Sequence, residues 1–220
     1  MFVKKDQAFR CRILTAICVF TAMPALAQAP STAAVTLPEI PAPVAVTVDA
    51  KSSALLILDI STAICKPNPA CMATVPAIAA LAKKARDAKV PVIYSSTVNP
   101  AGPPPIVDEV KPQTGEPTVA TRADKFLDTN LAELLKQHNA KTLVIVGSAA
   151  NGAVLYSTFH ANYLGFTVVV AEDGISSAQP FSNVVARYQL LNQPGFANAT
   201  NKPLAEKQVT LSKGDLITFK

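Results

Sequence analysis

The chain has 220 residues, half of them hydrophobic, with 20 lysines and arginines against 15 acids and a formal net charge of +5. Four of the positive charges (Lys4, Lys5, Arg10, Arg12) and one negative charge (Asp6) precede residue 28, so the remainder carries only +2. That remainder has no Lys/Arg-rich patch and no aromatic-rich basic stretch, which excludes nucleic acid as the expected partner.

Met1 to Ala27 reads as a secretory signal, because the early cations precede an apolar run from Ile13 to Ala25, and Ala25-Leu-Ala27 is a small-x-small cleavage site. A transmembrane anchor is the alternative, but the run is too short to span a bilayer. The chain is therefore expected in the periplasm or outside the cell, with no membrane contact after cleavage. Residues 28–50 are rich in Pro, Ala, Val and Thr without helical periodicity, and read as an extended tether with a short lead-in segment. Residues 51–220 are a normal size for one domain with one core.

Within that domain apolar runs and amphipathic stretches alternate, as in a three-layer α/β/α, Rossmann-like fold with a mostly parallel sheet of about six strands. Ala54-Leu-Leu-Ile-Leu-Asp-Ile60 reads as a buried strand, and Thr74 to Ala88 as a helix with Val75, Ile78, Leu81 and Ala85 on one face. Val90 to Ser95 is the next strand. Asn99 to Pro117, with six prolines, is a long loop of the kind that forms lids or binding loops. A helix from Thr129 to Gln137 follows, with Thr129 as N-cap. The rest reads as a strand at 142–147, a helix at 152–164, a strand from Thr167 to Ala171, a helix in the second half of 176–191, and a final pair of short strands around Val209 and Leu216.

The turn after the 142–147 strand is the expected site. There a helix start offers unpaired N–H groups and the positive end of its dipole, and Ser148, Ala149, Ala150, Asn151 and Gly152 leave the backbone open to a small-molecule ligand. Asp59 ends five apolar residues. It is either a working acid or a buried carboxylate capping backbone N–H groups.

Several segments resemble the isochorismatase-like superfamily, which includes cysteine hydrolases and nicotinamidases. Gly147-Ser-Ala-Ala-Asn-Gly-Ala-Val154 is similar to G-x-A-T-x-x-C-V, with Ala153 in the position of the nucleophilic cysteine. Residues 54–60 resemble A-L-L-V-I-D-M, and Pro76 to Val92 resembles P-x-I-x-x-L-x-x-A-R-x-x-G-V-P-V, with Lys89 in place of glycine. Phe126-Leu-Asp-Thr-Asn-Leu131 is similar to F-x-x-T-x-L, and Glu172-Asp-Gly174 to the D-A/D-G after the strand. The resemblance implies this family's fold and a small-molecule hydrolase. It also implies a cis peptide at Ser148–Ala149, and a site made of an aspartate, a lysine and a cysteine. The aspartate maps onto Asp59. The family lysine's spacing lands on Ala120, with Arg122 and Lys125 the nearest cations. Lys125 either reaches the site or remains a solvated lysine on a loop edge.

Ala153 cannot attack a carbonyl, so covalent catalysis through this position is excluded. Superfamily members without the cysteine are understood to cleave an enol ether by protonation from the aspartate and addition of water, which leaves Asp59 as general acid/base. Cys65 and Cys71, six residues apart around two prolines, suit a local disulfide in an oxidising compartment; Cys65 as a relocated nucleophile is the alternative. No metal and no cofactor are expected: the stretch after Tyr94 reads Ser-Ser-Thr-Val-Asn-Pro, without the D-x-H-x-x-H cluster of nicotinamidases. His138 near a helix end and His160 on the face of Ala153 have ordinary structural readings. Two functions follow, an exported hydrolase working through Asp59, or an inactive relative that keeps its pocket for a small molecule or a protein. A homo-oligomer is compatible with either.

Overall fold

A computed structural model describes residues 36–220, so the expected signal at Met1–Ala27 and the start of the tether lie outside the described residues. Strands β2 (Ser53–Leu58), β3 (Val92–Thr97), β4 (Thr118–Thr121), β5 (Thr142–Ser148), β6 (Thr167–Ser176) and β7 (Val209–Ser212) form one six-stranded sheet in the order β4-β3-β2-β5-β6-β7. Every neighbouring pair is parallel. All six residues of β2 are buried, because both faces of a parallel sheet are covered.

The pleat divides β2 between two cores. Ala54, Leu56 and Leu58 pack on one face with residues of α3 (Leu131–Gln137), α4 (Leu155–Tyr163) and α5 (Pro180–Leu191). Leu55 and Ile57 pack on the other with Val75, Ile78, Leu81 and Ala85 of α2 (Pro69–Asp87). The amphipathic stripe expected at 74–88 is therefore the buried side of α2, but the helix begins five residues earlier. The Asn68 side chain accepts from Ala70 N at 3.1 Å, and Pro69 supplies a first-turn φ without an N–H to satisfy.

Other elements differ from the expectation. β4 follows directly on the Asn99–Pro117 loop, in residues to which the sequence pattern gives no element; four residues at a sheet edge leave too short a pattern. The helix expected from Thr129 starts at Leu131, with Thr129 Oγ1 accepting from Leu131 N at 3.2 Å. The helix expected at 152–164 opens as a π turn, Ala150–Val154, before α4. β6 runs on through Glu172-Asp173-Gly174, with a register slip opposite Ile145–Gly147, so that Asp173 can accept from Gly214 N at 2.9 Å. The last two strands do not pair with each other. β7 is the sheet edge, while β8 (Ile217–Phe219) pairs in parallel with β1 (Val46–Val48), inside the segment read as tether. Val46 and Val48 are buried with Ile217 in the α2-side core, which is the apolar gain that orders β1.

Candidate active site

The strand order reverses between β2 and β5: the chain builds outward from β2 to β4, then crosses to β5 and builds outward again. In such sheets the crevice at this point, beyond the carboxyl ends of the strands, is where ligands bind. Asp59 follows β2 directly, and Ser148 ends β5. Gly147 permits the two strands to close here, since a Cβ at that position would strike the Leu58 carbonyl oxygen and lie 2.7 Å from Leu58 Cβ.

Asp59 is held from three directions. Its backbone N–H lies 3.2 Å from both the carbonyl oxygen and Oγ of Ser95, the β3 residue that pairs with Leu58. Ser95 Oγ donates to Asp59 Oδ1 at 2.7 Å, and Lys125 Nζ stands 2.7 Å from Asp59 Oδ2. Both charged side chains are buried, Lys125 entirely. The ammonium also donates to Arg122 O at 2.6 Å and Thr121 O at 3.3 Å, so its three hydrogens have three acceptors. Burial pushes the Asp59 carboxyl above its ordinary value, against the Lys125 ammonium and the Ser95 hydroxyl, which pull it down.

The structure thus brings Lys125 to Asp59, while Ala120, where the family spacing falls, is a β4 residue with no cation. The segment 121–129 makes this reach because it is folded into turns rather than helix. Lys125 N donates to Ser157 Oγ at 3.0 Å on α4, and Thr129 Oγ1 donates to Lys125 O at 2.6 Å. Ser95 and Ser157 were missed by sequence reasoning. Ser95 has a readable cue, since it closes the strand expected at Val90–Ser95 beside β2, although β3 runs on to Thr97; Ser157 has none, being one serine inside a helix.

On the other side of the crevice the Ser148–Ala149 peptide is cis. Val154 N donates back to Ala149 O at 3.2 Å, closing the π turn that carries Ala150, Asn151, Gly152 and Ala153. Asn151 is tied at the turn's open side by Ser177, whose hydroxyl donates to Asn151 Oδ1 at 2.9 Å. Ala153 is buried. The proline-rich loop is strapped beside Asp59, with Thr62 N donating to Pro105 O at 2.8 Å and Val107 N to Ile60 O at 3.0 Å. Cys65 and Cys71 are joined in a disulfide between α1 (Thr62–Cys65) and the first turn of α2, so Cys71 lies in a helix and not, as its sequence position suggests, in a loop.

His160 does not reach the Asp59–Lys125 pair. Its Nδ1 is 2.7 Å from Asp124 Oδ2, and its ring lies 4.9 Å from that of Phe126. His138 ends α3. Among the described residues no three His, Cys, Asp or Glu side chains converge where they could hold a metal ion. A cavity of about 720 Å³ opens at the opposite edge of the sheet, by Thr142 and Thr167 at the starts of β5 and β6; it shares no residue with the Asp59 site.

A model of the isochorismatase domain matches residues 53–201 of this chain. The secreted isochorismatase effector Isc1 of Verticillium dahliae is 34% identical over 110 residues, which are 46% of this chain and 58% of that protein. The chain therefore spans little more than half the length of that curated relative. Among solved structures, an N-carbamoylsarcosine amidase from Thermoplasma acidophilum superposes with a TM-score of 0.62 at 19% identity, over 74% of this chain and 97% of its own. A cysteine hydrolase from Pseudomonas syringae pv. phaseolicola does so with a TM-score of 0.65 at 16% identity, over 82% and 95%. At these identities the two structures share the fold.

Proposed function

Because this chain belongs to the isochorismatase family, we propose that it is an exported hydrolase of a small molecule, with Asp59 as general acid/base and without a covalent cysteine intermediate. The observation that carries this reading is the buried contact of Asp59 with Lys125 at the carboxyl end of the sheet. A buried ion pair is costly to keep for stability alone, and a carboxyl raised by burial is suited to proton transfer.

The reaction that such a site performs without a nucleophile is hydrolysis of an enol ether. The Asp59 proton adds to the terminal alkene carbon, and water adds to the oxocarbenium carbon that results. Asp59 takes a proton from that water, and the hemiketal collapses to an alcohol and a ketone, so one water is consumed and the carboxyl is restored. Lys125 stabilises the carboxylate between the two transfers. Gly152 N already donates to Ala149 O at 3.0 Å and Asn151 N to Ser177 Oγ at 3.4 Å, which leaves the backbone N–H groups of Ala149 and Ala150 as donors for an anionic or carbonyl oxygen of the substrate. Export rests on the pattern of Met1–Ala27 and agrees with the word "secreted" in the name of the Verticillium dahliae relative.

Ala153 favours a second reading, in which the protein is an inactive relative that uses the pocket to bind a small molecule or a protein. Purified protein should be assayed on enol ethers, amides and esters beside Asp59→Asn. Turnover of an enol ether, lowered about a hundredfold or more by the substitution, is expected. Turnover indifferent to Asp59→Asn sinks the mechanism, and saturable binding without turnover selects the second reading.

A further inference from the structure

The cavity of about 720 Å³ at the amino ends of β5 and β6 is left without a task by the catalytic reading. Four stretches of chain meet around it: the end of α3 with Asn139 and Ala140, the start of β5, the turn from α4 into β6, and Glu206-Lys207 before β7. Hydrogen bonds from the backbone tie these stretches together. Lys141 N donates to Ser52 O at 2.7 Å, Thr167 N to Lys141 O at 3.0 Å, and Lys207 N to Thr167 Oγ1 at 3.0 Å. A cavity of this size suits a small molecule, and a rim fixed in this way needs little ordering when a ligand arrives.

The lining indicates the kind of ligand. Lys136, Lys141 and Lys207 surround the cavity with Glu206 as its one acid, so three ammonium groups and one carboxylate leave a surplus of two positive charges. Among the described residues neither Lys136 nor Lys141 is paired with an acid, in contrast to Lys83, which stands 2.6 Å from Asp87. Lys207 has only Glu206, at 3.8 Å and with both side chains more than half exposed, a pairing worth little. One exposed lysine carries no information, whereas three about one cavity raise the local potential for an anion. Because the N–H groups of Lys141, Thr167 and Lys207 are already donated, the anion is met by the ammonium groups, with the Thr142 hydroxyl in the same lining. The rest of the lining includes an apolar part. Phe166 packs its ring against that of buried Phe126, with centroids 6.3 Å apart, and Leu164 is 45% exposed. A bare inorganic anion would leave that leucine in water, and a ligand with an apolar body would cover it.

We propose that this cavity binds a small organic dianion with an apolar body, such as an aryl phosphate, its charge held among Lys136, Lys141 and Lys207 and its body lying over Leu164 and Phe166. Lysines suit such a ligand as mobile point charges, without the paired geometry by which arginine reads a carboxylate. The inference is independent of the Asp59 reading, since the cavity shares no residue with that site and lies at the other end of β5. Sequence order hides it, because Lys207 joins Lys136 and Lys141 only through the placing of β7 beside β6.

Fluorescence and calorimetric titration with naphthyl phosphate tests it, beside naphthol and inorganic phosphate, at about pH 7.5 where the ester is a dianion. The ester is expected to bind with a Kd of about 10–100 micromolar and each control at least about tenfold more weakly. Added salt is expected to weaken the ester's binding. Lys136→Gln/Lys141→Gln/Lys207→Gln, with circular dichroism confirming its fold, is expected to bind the ester at least about thirtyfold more weakly, whereas Lys83→Gln/Lys89→Gln/Lys202→Gln, which removes the same charge outside the cavity, changes it less than about threefold. Limited acetylation of the wild type, read residue by residue by mass spectrometry, decides if the cavity variant unfolds: the bound ester is expected to protect Lys136, Lys141 and Lys207 and to leave Lys83 and Lys202 as reactive as before. An ester that does not bind, or that binds no more tightly than naphthol or inorganic phosphate, overturns the proposal. So does a folded cavity variant that binds the ester as the wild type does, an equal loss in the two triple variants, or acetylation that the ester leaves unchanged.

Discussion

At Asp59 the backbone occupies the left-handed region, with φ 57, which aspartate and asparagine tolerate better than most residues bearing a Cβ. Asparagine is therefore a fair probe of the carboxylate's charge. Burial raises the Asp59 carboxyl above its ordinary value of 3.8, so the folded chain holds this proton more tightly than the unfolded chain does. The contribution to stability is whole below the ordinary carboxylate range and is lost as pH rises through the folded value. Asp59→Asn is thus expected to resist urea better than wild type at pH 7 and equally well below about pH 4. Lys125→Met acts in the opposite direction. It removes the cation that offsets burial and strips Thr121 O and Arg122 O of a donor, for an expected loss of about 3–5 kcal/mol at pH 7 that shrinks as pH falls and Asp59 takes up a proton. Urea titrations of both variants at both pH values check this; equal losses would show that Asp59 carries no burial penalty.

The π turn at Ala150–Val154 and the Cys65–Cys71 bridge flank the carboxyl ends of the strands, and each supports a measurement. Ala153→Cys adds one sulfur at a buried position, at a cost of about 1 kcal/mol, and places it at the start of a helix. Its thiolate is expected to form below the ordinary thiol range, read from the pH dependence of alkylation. A thiol that titrates ordinarily, or that no reagent reaches, removes Ser148 to Gly152 from the site. Cys65→Ser/Cys71→Ser opens a loop of six residues and should lower the unfolding free energy by about 2 kcal/mol; thiol counting on unreduced protein without residues 1–27 should find none. At this scale the sequence was legible where burial is periodic or continuous, as in β2 and α2. It was not legible where non-local partners decide, as in β4, β1 and the prolonged β6, whose Glu172-Asp173-Gly174 is explained by Arg187, which pairs with Glu172, by the Gly214 N–H that Asp173 meets, and by Val146, which a Cβ at Gly174 would strike. Lys125 was legible as one of the two cations nearest the expected spacing, but its reach to Asp59 was not, since no spacing rule anticipates a turn pinned by Ser157.

Across the whole molecule, the alternation of strands and helices pointed to a parallel sheet, and the parallel sheet in turn located the crevice between β2 and β5. What alternation could not reveal is how the described chain's two ends are fastened. β1 and β8 run in the same direction, with Ala50 N donating to Lys220 O at 2.7 Å at one end of their ladder and Val46 N to Leu216 O at 3.1 Å at the other. When Val46 and Lys220 are pulled apart, the rungs are loaded together in shear; when Lys51 and Lys220 are pulled, force enters at the same end of both strands and the rungs break singly, in succession. Forced unfolding follows the barrier and not the equilibrium. Single-molecule extension should therefore show one higher rupture force for the first attachment and a lower one for the second, with identical denaturant midpoints for the two tethered proteins. The three-residue ladder would then act as a mechanical catch on the chain's ends, resisting tension along the strands and yielding to tension across them.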